Sequence, residues 1–275
     1  MKDRAYCKIN LALNVVSERE DGYHELEMIM VPVSFYDELS IEFADTTTFT
    51  CNQDFIEYND KNTVYKMVNY LKEKYGLNCE FKINLRKCVP TQAGLAGGSA
   101  DAASALRIIN RLCYLNLSKE EIKEACEYVG SDVLFTYYNR PAVVKGKGDK
   151  LEFFNIKNKY DVLLIKPRRG VKTKEAFDNM NMNTCDHPDV YKLKEALENG
   201  TSIDGLLGNS LEEVSKILCP KIKDIIDYGH ELNEDLVLMS GSGSTVFIID
   251  EKDKLIEIEK LYKERKYFTR LVSIL

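Results

Sequence analysis

Pro90-Thr-Gln-Ala-Gly-Leu-Ala-Gly-Gly-Ser-Ala-Asp-Ala-Ala103 is the stretch on which the fold turns. Gly94, Gly97 and Gly98 let the backbone bend tightly and come close to a ligand. A helix is predicted from Asp101 to about Leu112, with Ser99 at its mouth. The first N–H groups of a helix have no partner inside it, and its dipole is positive at that end. An anion, phosphate foremost, suits such a place. A loop that needs glycine only in order to turn is the competing reading.

The elements on either side define a class. Apolar residues fill every odd position from Cys7 to Val15, the period of a half-buried strand, so Lys8, Asn10, Ala12 and Asn14 share the other face. Asp21-Gly22 supplies a turn, and Tyr23 to Val33, then Leu39 to Phe43, read as further strand. Asn62 can cap a helix through Val64, Val68, Leu71 and Tyr75 that Gly76 stops, and a strand with Phe81, Ile83 and Leu85 leads to Pro90. Ser118 and Glu121 make a capping box for a helix ended by Gly130. Strands come first and helices after, an α+β arrangement. Gly146, Gly148 and Asn155 to Lys159 read as a polar boundary between halves. Beyond it are a strand over Val162 to Lys166, helices near Lys174 to Met180, from Pro188, over Leu211 to Leu218 and over Ile222 to Tyr228. Strands at Leu236 to Met239 and Thr245 to Ile249, a helix around Leu255 to Lys263 and a strand over Phe268 to Ile274 complete the pattern.

Composition removes several function classes. The 275 residues carry 38 basic and 44 acidic side chains, a net charge of -6, which gives no sequence-independent grip on nucleic acid. Eight cysteines never come closer than nine residues apart, so no zinc spacing exists, and they read as reduced thiols in a cytoplasmic protein. Apolar runs such as Val162 to Ile165 are too short to span a bilayer, and Lys8, Asn10 and Asn14 interrupt what could pass for a signal segment.

The 90–103 stretch lacks the Gly-Lys-Ser/Thr ending of a Walker loop and the glycine spacing of a dinucleotide fingerprint, and the chain has no His-Arg-Asp or Asp-Phe-Gly. A second cluster, Met239-Ser-Gly-Ser-Gly-Ser-Thr245, joins two strands; alone it suits a mere turn, and paired with the first it suggests two backbone clamps on one polyphosphate. Lys8 on a strand's polar face and Asp132 before Val133-Leu134-Phe135 are charged where structure needs no charge. A solvated edge lysine and a turn-forming aspartate are their bland readings.

These stretches occur in the order of a known family. Ala5-Tyr-Cys-Lys-Ile-Asn-Leu11, Arg19-Glu-Asp-Gly-Tyr-His-Glu25, Ala93 to Ala103, Gly130-Ser-Asp-Val133, Lys172 to Phe177, Asn209-Ser-Leu-Glu212 and Ser240 to Phe247 resemble the GHMP small-molecule kinases. Lys-Ile-Asn-Leu with Asp-Gly-Tyr-His-Glu narrows the likeness to the branch acting on a cytidyl-linked alcohol.

The resemblance implies a two-domain GHMP fold, with an ATP-binding half over 1–155 and a substrate-binding half over 156–275. It also implies an active site in the cleft between them, and a homodimer is compatible with it. It implies ATP and Mg²⁺ as cofactors and a small-molecule acceptor, with no nucleic acid or membrane partner. Lys8 and Asp132 match the catalytic pair, and Pro90, Thr91, Gln92, Ala93, Gly94, Leu95, Ala96, Gly97, Gly98, Ser99 and Ala100 match the ATP loop. Ser99 is matched to Mg²⁺ or the β-phosphate, and Asn62 and Lys87 fall near the adenine pocket. Tyr23, His24 and Phe177 match positions that recognise cytosine; Asn10, Thr173, Gly241, Ser242 and Gly243 complete the expected acceptor site. Ala96 and Ala100 replace a usual glycine and serine, and Leu134 and Ser244 replace usual prolines. A kinase for another small alcohol, such as homoserine or mevalonate, and a nucleotide sensor without activity are the alternatives.

Overall fold

Alternating apolar side chains carry the first two strands far. In the computed structural model, which describes residues 1–275, β1 is Lys2–Glu18 and β2 is His24–Ala44. There follow β3 (Thr48–Cys51), α1 (Thr63–Tyr75), β4 (Glu80–Arg86), α2 (Gly97–Leu112), α3 (Lys119–Val129) and α4 (Val133–Tyr138). Then come β5 (Ala142–Gly146), β6 (Lys150–Phe153), β7 (Asp161–Lys166), α5 (Thr173–Asn179), α6 (Val190–Asn199) and β8 (Gly208–Asn209). The chain ends with α7 (Glu212–Leu218), α8 (Lys221–Glu231), β9 (Val237–Met239), β10 (Val246–Asp250), α9 (Lys252–Glu264) and β11 (Phe268–Ser273).

Two compact units form, and β1, β2 and the glycine loop each pass from one to the other. The first comprises Met1–Cys7, Phe35–Pro90 and Ala96–Asn139. In it β4 runs antiparallel to β2, from Glu38 opposite Arg86 to Ala44 opposite Glu80, and β3 lies parallel to β4. Asn62 caps α1 as its sequence predicts, its side-chain oxygen accepting Val64 N at 2.9 Å and Tyr65 N at 3.3 Å. Val64, Met67, Val68 and Leu71 form the buried stripe of α1, facing the alanine-rich α2, whose small side chains admit close helix packing. The capping box of Ser118 and Glu121 opens α3.

The second unit comprises Lys8–Ser34, Thr91–Leu95 and Arg140–Leu275. Here β5 pairs with β2 and β6 with β5, while β8 lies parallel to β1 with Ala12 opposite Gly208. A separate antiparallel sheet has the order β11-β7-β10-β9. Phe247 and Tyr262 are fully buried, each contributing roughly 1.5–3 kcal/mol on leaving water. The Tyr262 hydroxyl donates to Ile225 O at 2.7 Å, so its polar end is satisfied.

Four sequence expectations change. β2 runs unbroken through residues 34–38, because Asp37 takes an inward position that an apolar side chain would have advertised. Gly146 and Gly148 turn a hairpin between β5 and β6, with Gly148 N bonded to Lys145 O at 3.2 Å, where a polar boundary was expected. α6 begins at Val190, after Asp189 rather than Pro188, because the Asp189 carboxylate accepts Lys192 N at 3.0 Å. α2 starts at Gly97, four residues before the Asp101 read from sequence, so the last two loop glycines are helical.

Candidate active site

The polar face of β1 carries the first part of the site. Lys8 and Asn10 are buried, and the Lys8 ammonium donates to Asn10 Oδ1 at 2.6 Å. Asn10 N donates to Ser240 Oγ at 3.2 Å, and that hydroxyl donates to Gly94 O at 3.1 Å. Lys8 N reaches Leu95 O at 3.1 Å and Thr245 N reaches Ala93 O at 3.2 Å. The two glycine clusters, 146 residues apart, are therefore stitched together at the lysine-bearing strand. Gly94 has φ +72°, and a Cβ there would lie 2.0 Å from Ser240 O, so glycine is required. A Cβ on Gly241 would meet Gly94 O at 3.1 Å and Lys8 Nζ at 3.3 Å.

Residues that the sequence reading missed hold the second loop. Asn209, at the end of β8, donates through Nδ2 to Met239 O at 2.7 Å and Gly241 O at 2.8 Å. Ser215 on α7 donates to Ser242 O at 3.1 Å, and Glu212 accepts Met239 N at 2.9 Å. The Ser242 and Thr173 hydroxyls are 2.9 Å apart, which joins two expected acceptor contacts. Asn209-Ser-Leu-Glu212 stands out as a motif, but only the fold shows that its side chains serve backbone groups, Asn209 two carbonyls and Glu212 an amide.

The first loop ends at a helix mouth. Ala96, at φ +54°, precedes α2 and gives it no side-chain cap, so the N–H groups of Gly97, Gly98 and Ser99 open the helix without a side-chain partner. That is the donor set an anion needs. Ser99 is half-buried on the first turn, while Thr91 and Gln92 are exposed. Thr63 Oγ1 donates to Gly98 O at 2.6 Å, fixing the turn against α1.

Two residues expected near adenine spend their side chains otherwise. Asn62 accepts from Val64 and Tyr65 and donates to Glu57 O at 2.9 Å, using both ends of its amide. The Lys87 ammonium binds Asp101 at 2.8 Å and also Asp37, and Lys87's backbone N and O both bond Asn52, at 2.7 and 3.0 Å. Burial pulls the Lys87 ammonium down, and the two carboxylates outweigh it, leaving it raised. Burial is also the main cause that raises the Asp101 carboxyl.

On the second unit, His24 and Phe177 stack with ring centroids 4.9 Å apart and planes 28° from parallel. Tyr23, next to His24 in the chain, is 61% exposed, with the Lys147 ammonium 5.8 Å from its ring centroid. The turn that carries them is built locally: Arg19 binds Glu25 at 2.6 Å and Asp21 at 3.1 Å, Asp21 accepts Tyr23 N at 3.1 Å, and Gly22 has φ +78°. On the first unit, Asp132 is half-buried and leads into α4 without capping it, so its carboxylate is not spent as a helix cap.

The family follows from comparison. Residues 62–140 match the GHMP kinases N terminal domain and residues 184–264 the GHMP kinases C terminal. The 4-diphosphocytidyl-2-C-methyl-D-erythritol kinase of Bacillus cytotoxicus is 36% identical over 273 residues, 98% of this chain and 94% of that one. The enzyme of that name from Enterococcus faecalis is 36% identical over 276 residues, covering 99% and 97%. The crystal structure of a 4-(cytidine 5'-diphospho)-2C-methyl-D-erythritol kinase superposes with TM-score 0.85 at 27% identity, covering 100% of this chain and 99% of that one. A homoserine kinase from Cytophaga hutchinsonii, at TM-score 0.70 and 16% identity, shares the fold. With both family domains matched in order along an α+β chain, and with relatives of more than a third identity across its length, this protein belongs to the GHMP kinases.

Proposed function

We propose that the chain is an ATP-dependent kinase that phosphorylates the 2-hydroxyl of 4-diphosphocytidyl-2-C-methyl-D-erythritol, in the non-mevalonate route to isopentenyl diphosphate. The observation that carries this reading is the set of hydrogen bonds linking Lys8, Asn10, Ser240 and Gly94, which ties the strand that bears a buried ammonium to both glycine loops. Phosphoryl transfer needs positioning and charge neutralisation more than covalent help. Main-chain amides from Gly94 to Ser99 hold the ATP phosphates. Asp132 takes the proton of the acceptor hydroxyl as its oxygen bonds to the γ-phosphorus and the bond from that phosphorus to ADP breaks. Lys8 neutralises the charge that spreads over the migrating group.

The half-buried Ser99 hydroxyl, on the first turn of α2, is the oxygen that would hold Mg²⁺, a hard cation that takes oxygen ligands; when bound, the ion would neutralise phosphate charge. Cytosine stacks on the aromatic faces of Tyr23 and Phe177, His24 bonds its edge, and Asn10, Thr173 and the 241–243 backbone hold the rest of the acceptor. In this reading residues 1–155 chiefly serve ATP and 156–275 the acceptor. The partner is a small molecule in the cytoplasm, neither nucleic acid nor membrane enters, and sedimentation velocity tests whether two copies pair. No helix is long and apolar enough to cross a membrane.

A coupled assay of ADP release with the cytidyl alcohol, homoserine and mevalonate in parallel tests the proposal. Turnover is expected with the first alone. Turnover with either of the others, or ATP binding with no turnover on any, refutes it.

A further inference from the structure

Among the charged residues of the first unit, Asp37, Lys87 and Asp101 stand apart by their burial. Their side chains are 0, 5 and 5% exposed, and one ammonium serves two carboxylates. Such a cluster is a poor route to stability, since well-packed apolar side chains of similar volume commonly do as well or better. Its placement suggests another use. Lys87 lies just before the glycine loop, Asp101 just inside the helix that follows it, and Asp37 on β2, in contact with Lys87.

We propose that Lys87 is a positioning residue for nucleotide binding: its ammonium, shared by Asp37 and Asp101, ties the two ends of the glycine loop together and sets the α2 amides at the spacing a triphosphate requires. The proposal rests on the reading of residues 90–100 as the ATP loop.

Each end of the loop is fixed through the cluster. Asp37 Oδ1 accepts Cys88 N at 2.5 Å and Val89 N at 2.8 Å, while its other oxygen takes the Lys87 ammonium. The incoming strand end is thus bound to β2 by three donors on one carboxylate. The outgoing end is held by Lys87 Nζ on Asp101 Oδ2 at 2.8 Å, while Asp101 Oδ1 makes no bond of its own, so the ammonium is the cation that holds this carboxylate. Between these anchors, Gly97 lies against the lysine: a Cβ there would be 3.3 Å from Lys87 Nζ and 3.0 Å from Val89 Cγ1. The first residue of the helix therefore packs against the ammonium that holds its fifth residue. Because the ammonium is consumed below the loop, Lys87 acts on nucleotide through position rather than touch.

The experiment uses the full chain, with ATP binding followed by calorimetric titration and steady-state kinetics run alongside. Charge-assisted hydrogen bonds of this kind convert to an affinity change on the order of ten- to a hundredfold. Lys87→Met and Asp101→Ala are each expected to weaken ATP binding by that factor. The acceptor KM and kcat at saturating ATP are expected within about twofold of wild type. Asp101→Asn, which keeps an oxygen for Lys87, should restore most of the affinity; a cluster that merely supports the fold would not split KM from kcat in this way. Should Lys87→Met fail to fold, the Asp101 pair decides, since it leaves the Lys87–Asp37 contact in place. Wild-type affinity in folded Asp101→Ala, or a fall in kcat at saturating ATP, overturns the positioning role alone. Wild-type protein that binds no ATP overturns the nucleotide reading and this proposal with it.

Discussion

Replacing Gly94 with alanine perturbs the contact on which the two-loop site depends. At φ +72° a residue with a Cβ costs about 1–2 kcal/mol more than glycine. The new methyl would also stand 2.0 Å from Ser240 O, so the loops must part. Parting them strains three hydrogen bonds, Ser240 Oγ to Gly94 O, Thr245 N to Ala93 O and Lys8 N to Leu95 O, each worth about 1 kcal/mol net. Because the bonds share one loop they do not add independently, and a total of about 3–4 kcal/mol is expected. At roughly 2 °C per kcal/mol for a chain of this size, the melting temperature should fall by about 6–8 °C. If the contact also positions Lys8, kcat/KM for ATP should fall by about a hundredfold or more, at 1.36 kcal/mol per decade. Scanning calorimetry with the coupled kinase assay measures both. Gly98→Ala is the stability control: a Cβ there has Thr63 Oγ1 at 3.4 Å and no positive φ, so melting should hold or rise. Gly94→Ala protein that melts with wild type and turns over within twofold of it would refute the stitched-loop geometry.

Ala96→Gly relieves a left-handed alanine at φ +54°; the gain of about 1–2 kcal/mol is partly offset by a more flexible unfolded chain, leaving about 0.5–1 kcal/mol of stabilisation in chemical denaturation. Asp132→Asn should lower kcat by about 10²–10⁴ while ATP titrates as in wild type, and unaltered kcat removes the aspartate from proton transfer. His24→Ala should raise the acceptor KM and leave the ATP KM where it was; an acceptor KM equal to that of wild type would place the histidine outside the acceptor site. Burial pushes the Cys126 thiol up to about 12, so at pH 8 it stays protonated and resists alkylation in the native state, whereas exposed Cys88 reacts. Mass spectrometry of the alkylated peptides checks the order, and early modification at Cys126 would contradict the burial.

Much of this was legible in sequence because the signals are local. The odd-position apolar run makes Lys8 and Asn10 neighbours on one face of β1, and Asn62, Ser118 and Glu121 announce their helix starts by capping chemistry. The start of α2 is hidden because glycines ordinarily mark loops; here two of them occupy a helix's first turn, where a Cβ on Gly97 would press against Val89 and Lys87. Asp37 stayed hidden because a carboxylate at an inward strand position breaks the alternation that identifies strands, and its partners lie 50 and 64 residues away. The roles of Asn209 and Ser215 were unreadable for a related reason. Their side chains satisfy backbone carbonyls of a loop 30 and 27 residues on, a match that no spacing rule encodes.

The central claim is that main-chain amides of the first glycine cluster, to which the second is stitched, hold the nucleotide phosphates. Amide chemical shifts of the ¹⁵N-labelled chain, followed while a non-hydrolysable ATP analogue is titrated, test it most directly. Saturable shifts centred on Gly94 to Ser99, with smaller ones at Gly241 and Gly243, are the predicted result. Saturable binding that leaves those amides unmoved and shifts resonances elsewhere would contradict it.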